Sequence, residues 1–257
     1  MEQTPKGLRL VEKTVDVLNL LADNGELTIA QLAQHTGEPR SSLYRLLGRL
    51  EQLELIEAAS ARGYFRLGTH LLRWGAATQA GLNVRDRALP VMEQIMAETG
   101  LTVYLMVRRG SHAVCVERLE GLRVASLAVR LGGSLPLHAG AAPRALLAFE
   151  SEEEWHAYAE NGELSRLTPD THVEPSDLYD LLTYEREQGY TLSDGDVTPG
   201  IAALGAPVRD HKNQIQGALS VSGLREEVVG KDADRVRSLV IEGAQTISRD
   251  LGHLAPR

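Results

Sequence analysis

The sequence predicts an α+β protein in two parts, a small helical part followed by a larger part in which strands and helices alternate. Near the N-terminus, apolar residues recur at helical spacing on either side of a tight turn, and a short hairpin pattern follows. From Leu101 onward the apolar period changes to two. Periods of 3.6 and 2 are typical of amphipathic helices and half-buried strands. A chain of 257 residues also has room for two domains.

The first of the two short helices is bounded by clear end signals. Thr28 and Gln31 have the spacing of a capping box, so the helix is expected to begin at Ile29. Gly37 supplies the left-handed residue that ends it. A second helix can therefore start almost at once, and the pair is joined by a sharp turn.

The second helix has an apolar face and a donor-rich face. Pro39 suits its first turn, where a missing N–H costs nothing. Leucines recur at i, i+3, i+4 and i+7 and predict one buried stripe: Leu43, Leu46, Leu47 and Leu50. Outside this stripe lie Arg40, Ser41, Ser42, Tyr44 and Arg45. These side chain types bind phosphates and base edges, so we expect this face to enter a DNA groove.

A predicted hairpin over residues 55–58 and 64–67 follows the helix pair and places Arg62 at its tip, where it is expected to meet a phosphate. Two helices and a hairpin in this order predict a winged helix-turn-helix. Thr28, at the start of the first helix, is included among the candidate DNA contacts. The alternative interpretation is a small helical subdomain with a solvated basic face.

Charge is divided unequally along the chain. Residues 1–75 contain nine Lys/Arg and nine Asp/Glu, so the net charge of −8 lies entirely on the remainder. Few cations on one domain favour a dimer, because phosphate neutralisation is local and each cation adds to affinity. The N-terminus lacks an apolar signal region and no apolar run is long enough to span a membrane, so we expect a cytoplasmic protein.

The rest of the chain is predicted as a helical connector and an α+β domain. The domain boundaries are 1–68 for the winged helix-turn-helix, 69–100 for a helical linker and the start of the next domain, and 101–257 for that domain. The connector is interrupted near residues 81–83, and its apolar positions are either a dimer seam or intrachain core. Strands are expected at 103–107, 113–118, 124–130, 190–193, 202–209 and 215–222, and helices at 141–149, 152–160, 176–188 and 231–251.

An enzyme is the competing class of protein. A hydrolase would use Ser220 or Ser222 as nucleophile with His138 and Asp194, yet the sequence has no nucleophile elbow, paired-carboxylate motif or P-loop. The eight histidines show no ligand spacing, so no metal and no cofactor is expected, and a metal sensor is a third choice. The single cysteine, Cys115, is predicted as a buried core residue, with a reactive thiol as the alternative.

Three blocks of sequence resemble the IclR family of bacterial transcriptional regulators, over residues 8 to 251. The first is the winged helix-turn-helix through residue 68. The second is Leu-Pro-Leu-His-Ala-Gly-Ala-Ala-Pro-Arg-Ala at 135–145, which is similar to the family's P-L-H-x-[ST]-A-x-G-K-A. The third combines Gly-Tyr at 189–190, Pro-Gly-Ile at 199–201, Ala-Pro-Val at 206–208 and Ser-Val-Ser-Gly at 220–223.

The resemblance implies a GAF-like domain that binds a small metabolite, commonly a carboxylic or aromatic acid, and regulation of operator DNA by a dimer or tetramer. Family pocket positions fall on Ala141, Ala142, Ser193, Asp194, Ala203, Ser220 and Ser222. A helix beginning near Gly140 would direct free N–H groups at a carboxylate, and two serines two apart on a strand share a face.

The alternative is that the serines are the polar face of an edge strand, Asp194 a turn residue and the alanines packing residues. The motif histidine, His138, is assigned either to the pocket or to holding its loop. Where the family has Gly-Lys this chain has Pro143 and Arg144, which removes one backbone donor. With Ala203 at a position that is polar in some relatives, the effector is expected to be more apolar than a short keto acid.

Overall fold

The computed structural model describes residues 6–59, 61–74, 83–121, 129–161 and 164–254. The chain forms two compact units, residues 1–81 and 82–257. None of the described helices is both long and apolar enough to cross a membrane.

The first unit is a three-helix core with a small sheet. Its elements are α1 (Lys6–Asn24), β1 (Leu27–Thr28), α2 (Ile29–Thr36), α3 (Arg40–Gln52), β2 (Ile56–Ala58) and β3 (Tyr64–Leu67). The predicted helix pair and hairpin are confirmed, whereas α1 and β1 were not predicted. In the described residues β3 is the central strand, with β1 pairing Leu27 to Phe65 on one side and β2 on the other.

The end signals of α2 act as the sequence predicts. The Thr28 hydroxyl accepts the Gln31 N–H, and the Gln31 side chain accepts the Thr28 N–H at 2.9 Å, which completes the capping box. Gly37 has φ +69° and ends the helix in the left-handed conformation. Val17 and Leu21 of α1 are buried against α2 and α3. Burial of these apolar side chains drives formation of the unit.

The second unit contains, in its described part, a six-stranded antiparallel sheet. Its strands are β4 (Thr102–Arg109), β5 (His112–Leu119), β6 (Ser134–Pro136), β7 (Thr191–Asp194), β8 (Ile201–Arg209) and β9 (Ile215–Leu224). The order across the sheet is β6-β5-β4-β9-β8-β7, so β4, β9 and β8 are interior strands and β7 is an edge. Strand β6 was not predicted. The strand expected at 124–130 falls largely on residues 122–128, which lie outside the described residues.

Helices cover both faces of this sheet. They are α4 (Val84–Thr99), α5 (Ala141–Ala148), α6 (Glu152–Asn161), α7 (Pro175–Gln188), α8 (Arg225–Val228) and α9 (Ala233–Asp250). Side chains alternate along β4, so Val103 and Leu105 pack with α4 and α9, while Tyr104 and Met106 face α5. The sheet therefore separates two apolar cores.

The two ends of the predicted connector differ in burial. Ala88, Met92 and Ile95 of α4 are buried in the core shared with α9, so that part is intrachain core. Residues 70–74 are helical, and there Leu72 is 73% and Trp74 51% exposed. Residues 75–82 lie outside the described part of the chain.

Candidate functional site

The polar face of α3 is exposed in the first unit. Arg40, Ser41, Tyr44 and Arg45 are exposed, with Tyr44 at 64%, and Ser42 is half-buried. The opposite face is buried through the four predicted leucines, which confirms the two-faced interpretation. Neither Arg40 nor Arg45 forms an ion pair with a described residue, so both guanidinium groups are available to another molecule.

The other two DNA candidates differ in their surroundings. Arg62 is exposed in the turn between β2 and β3, next to Gly63, whose φ of +84° allows the turn. Thr28 is half-buried, and its hydroxyl is engaged with Gln31 in the capping box. The Thr28 hydroxyl therefore already serves as the N-cap of α2. The neighbouring Arg66 is paired with Glu57 at 2.8 Å.

A cavity lies in the second unit between the start of α5 and the sheet face that α5 covers. Its volume is about 480 Å³, including its open mouth. Its lining is Tyr104, Met106, Val129, Leu135, Gly140, Ala141, Ala142, Pro143, Ser193, Val197, Thr198, Ile201, Ala203, Ser220 and Ser222. This size suits a metabolite of a few heavy atoms.

The structure brings six of the seven predicted pocket residues to this cavity. Strand register explains the grouping, because Ser193 lies opposite Ala203 and Ala203 lies opposite Ser222. Ser220 follows on the same face of β9, two residues from Ser222. Strand β9 lies in the middle of the sheet, so the edge-strand alternative for the two serines is wrong.

Asp194 is not among the residues that line the cavity. Residues alternate along β7, so Asp194 points to the opposite side from Ser193 and is exposed. Its carboxylate accepts from Arg225 Nε at 2.9 and 3.0 Å. The expectation that Asp194 faces the pocket is therefore corrected: the one-residue offset along a strand places it on the other face.

The N-terminus of α5 approaches the sheet closely above this row of residues. A Cβ at Gly205 would lie 2.8 Å from the Ala141 carbonyl carbon, so glycine is required for that approach. The first N–H groups of a helix have no acceptor within it. Pro143 has none to offer, whereas Ala141 and Ala142 keep theirs and line the cavity.

A buried ion cluster supports the cavity from behind, and sequence reasoning missed it. Arg144 Nε donates to both Glu185 oxygens at 3.1 Å, and its other nitrogens reach Asp196 and the Leu192 carbonyl. Arg144 is 1% and Glu185 2% exposed. Glu185 also accepts the Leu192 N–H at 2.9 Å. The pair thus satisfies both backbone groups of Leu192, which face away from the sheet at the edge strand β7.

The ionisation of the cluster follows from its contacts. Burial raises the pKa of Asp196, but the Arg144 charge and hydrogen bonds from Ser193 and Gly140 outweigh burial and hold this pKa below its ordinary value of 3.8. Burial lowers the pKa of Arg144, but the two carboxylates raise it above its ordinary value. Asp196 and Arg144 are therefore both charged at neutral pH. The signal for this cluster was an arginine inside an otherwise apolar helix, Ala-Ala-Pro-Arg-Ala-Leu-Leu-Ala.

His138 holds the loop that precedes α5. Its ring contacts the Tyr158 hydroxyl through Nδ1 at 2.8 Å and the Ser165 carbonyl through Nε2 at 2.9 Å. A carbonyl only accepts, so Nε2 carries the proton and Nδ1 accepts from Tyr158. Both nitrogens are occupied and Asp194 is on the far face of β7. The hydrolase alternative, with Ser220 or Ser222, His138 and Asp194, is therefore not supported.

In the described part of the chain, Cys115 lacks the environment of a reactive thiol and the histidines form no metal site. Cys115 is buried, and burial raises the pKa of its thiol to about 11, so the core interpretation is confirmed over a reactive thiol. Within the described residues no three His, Cys, Asp or Glu side chains form a metal-binding group.

Two family models match the chain. Residues 10–60 match the IclR helix-turn-helix domain, and residues 76–249 match the bacterial transcriptional regulator IclR C-terminal domain. A DNA-binding helix pair joined to a ligand-binding domain defines a one-component transcriptional regulator. The chain belongs to the IclR family, as its sequence resemblance indicated.

Individual relatives agree over nearly the whole length. The chain is 31% identical to the HTH-type transcriptional regulator KipR of Bacillus subtilis, covering 95% of this chain and 98% of that protein. It is 26% identical to the transcriptional repressor IclR of Escherichia coli, covering 98% and 90%. The crystal structure of the Agrobacterium tumefaciens repressor BlcR superposes with a TM-score of 0.80, at 25% identity and with 98% and 100% coverage. These relatives are all regulators of transcription, so the chain is a regulator and not an enzyme.

Proposed function

We propose that this regulator binds a pseudo-palindromic operator as a dimer or as a tetramer of two dimers, and that a small acid in the cavity changes its affinity for DNA. The observation that supports the DNA contact is the exposed, unpaired donor face of α3. The proposed contacts are Thr28, Arg40, Ser41, Ser42, Tyr44, Arg45 and Arg62. The dimer follows from the small number of these cations, since two recognition helices double the phosphate contacts. We place the protein in the cytoplasm, where its operator is.

The proposed effector site is the cavity lined by Ala141, Ala142, Ser193, Ala203, Ser220 and Ser222. The carboxylate of a carboxylic or aromatic acid can accept hydrogen bonds from the Ser220 and Ser222 hydroxyls, which line the cavity from one face of β9. Tyr104, Met106 and Ile201 supply apolar surface for the rest of the molecule. The ligand shifts DNA binding only by preferring one arrangement of the protein over another.

Gel shifts on the DNA upstream of the protein's own gene test the DNA contact. Arg45→Ala should weaken binding by roughly 5- to 150-fold, the equivalent of about 1–3 kcal/mol for a base-edge contact. Lys13→Ala is the matched control, because it removes one positive charge from the same unit, but one already paired with Glu38 at 2.7 Å. Unchanged binding by Arg45→Ala, or an equal loss in both variants, would remove Arg45 from the contact surface.

The effector half of the proposal has its own experiment. A thermal-shift screen of small organic acids against the full chain identifies stabilising compounds, which then enter the gel shift. Ser222→Ala should keep DNA binding and lose most of the response to such a compound. A response that is equal in Ser222→Ala and in the unaltered protein would place the effector elsewhere.

A further inference from the structure

Asp196 takes hydrogen bonds from two groups that line the cavity. The Ser193 hydroxyl donates to Asp196 Oδ1, and the Gly140 N–H donates to Oδ2 at 3.0 Å. Arg144 also donates to Oδ2, and the Asp196 side chain is 5% exposed. The carboxylate is therefore buried directly behind one end of the cavity wall.

The direction of the hydrogen bond from Ser193 is fixed by chemistry. An ionised carboxylate has no proton to donate, so the hydroxyl proton of Ser193 must point at Asp196. What Ser193 presents to the cavity is its lone pairs, and it can only accept there. The Gly140 N–H is likewise used by Asp196. This end of the cavity thus selects a ligand group that donates a hydrogen bond.

The opposite end offers donors. Within the described part of the chain the Ser220 and Ser222 hydroxyls have no side-chain hydrogen bond, so both can turn their protons towards a ligand. Ala141 and Ala142 do not belong to this end, because they follow Gly140 directly and the Ala141 carbonyl accepts from Thr191 of β7 at 2.7 Å. A carboxylate has an acceptor oxygen for each of the two hydroxyls.

The charges near the cavity favour the same orientation of the ligand. Arg144 carries one positive charge, while Glu185 and Asp196 carry two negative charges, so the cluster behind Ser193 is net negative. In a buried environment this field is weakly screened. It disfavours a ligand carboxylate beside Ser193 and favours a hydroxyl or an ammonium group there.

The strand register sets the length of the ligand. Ser193 and Ser222 are separated by one intervening strand, through Ala203, so their Cα atoms are roughly 10 Å apart at the usual spacing of neighbouring strands. One hydrogen bond of about 2.8 Å at each end leaves about 4 Å between the ligand's two polar groups. A donor on the third carbon of an acid meets that distance.

We propose that the effector is a small acid with a hydroxyl or amino donor about 4 Å from its carboxylate, with the donor on Ser193 and the carboxylate on the hydroxyls of Ser220 and Ser222. This inference rests on the proposed function and narrows its ligand class. Asp196 acts as a positioning residue, because it fixes the proton of Ser193 without touching the ligand.

Calorimetry with matched acids on the full chain tests the proposal. One series is propanoate, 3-hydroxypropanoate and 3-aminopropanoate, and the aromatic series is benzoate, 3-hydroxybenzoate and 3-aminobenzoate. In at least one series the donor-bearing acid should bind about tenfold or more tightly than its unsubstituted parent, which corresponds to one satisfied hydrogen bond. Ser193→Ala should bring that ratio close to one, whereas the exposed Ser176→Ala control should leave it unchanged.

Each outcome decides the inference. The inference would be overturned if the parent acids bound as tightly as the donor-bearing acids. It would also be overturned if the affinity ratio were unchanged in Ser193→Ala, or if no acid of either series bound. The ratio in the unaltered chain does not depend on any variant's folding. DNA binding in the gel shift without ligand tests the regulator itself, so that result can stand when the ligand class fails.

Discussion

Arg144→Met should strongly destabilise the second unit, because it leaves two buried carboxylates without their cation. Arg144 donates to Glu185 at 2.9 to 3.1 Å, to Asp196 and to the Leu192 carbonyl, and it is 1% exposed. Methionine fills similar space but offers no donor. Both carboxylates would then be buried beside each other with no positive charge between them.

The magnitude follows from the burial of all three groups. Breaking a buried ion pair by removing one partner costs about 3–5 kcal/mol. In a domain of this size each kcal/mol lowers the unfolding midpoint by about 2–4 °C, so a fall of roughly 6–20 °C is expected. Arg144→Lys keeps the charge but replaces the planar guanidinium with a single nitrogen. Its unfolding midpoint should therefore lie between those of the unaltered protein and Arg144→Met.

This shift can be measured by thermal unfolding, with the fluorescence of Trp155 as the signal. The measurement uses a Trp74→Phe background, so that Trp155 is the remaining tryptophan. Trp155 is buried, and its indole donates to the Leu147 carbonyl at 2.7 Å, so it reports on α5. Arg225→Met is the control: its pair with Asp194 is at the surface, with Arg225 60% exposed, and should contribute about 0–1 kcal/mol. The argument is refuted if Arg144→Met is as mild as the control.

Three further changes probe pH dependence, close packing and capping. The free energy of unfolding should fall as the pH drops below 6.5, because burial lowers the pKa of His138 below that value and the unfolded chain then binds the extra proton more readily. Urea midpoints measured from neutral to mildly acidic pH should therefore decrease, and the decrease should be smaller in His138→Gln. Gly205→Ala puts a Cβ 2.8 Å from the Ala141 carbonyl carbon and should cost about 1–3 kcal/mol by thermal unfolding, while Gly48→Ala, with open space around its Cβ, should cost nothing. Thr28→Ala should destabilise the first unit by about 1 kcal/mol in a denaturant titration, since it removes the cap of α2, and no change would show that the cap is dispensable.

Local signals predicted the elements whose ends or periodicity are written in a few neighbouring residues. The capping box at Thr28 and the left-handed Gly37 set the bounds of α2 to the residue. The two-residue strand β1 escaped prediction because it exists only through its pairing with β3, which lies far along the chain. Helix α1 also carries an amphipathic pattern, with Val17 and Leu21 on its buried side, but the sequence analysis assigned no helix to these residues.

The cavity was partly predictable for the same physical reason. Ser220 and Ser222 share a face because of strand alternation, and family motifs mark the start of α5. Alternation also explains the misplacement of Asp194: one position along a strand reverses its side. No local pattern connects Arg144 to Glu185 and Asp196, since these partners are 41 and 52 residues away.

The ion cluster joins stability to ligand selection. Asp196 neutralises Arg144 and also orients the hydroxyl of Ser193, so a change at Asp196 alters both properties at once and cannot separate them. Ser193→Ala removes only the group that faces the cavity and leaves Asp196 bonded to Arg144 and Gly140. If Ser193→Ala keeps the unfolding midpoint within a few degrees while abolishing the preference for donor-bearing acids, selectivity belongs to the hydroxyl and the cluster's part is to hold it in place.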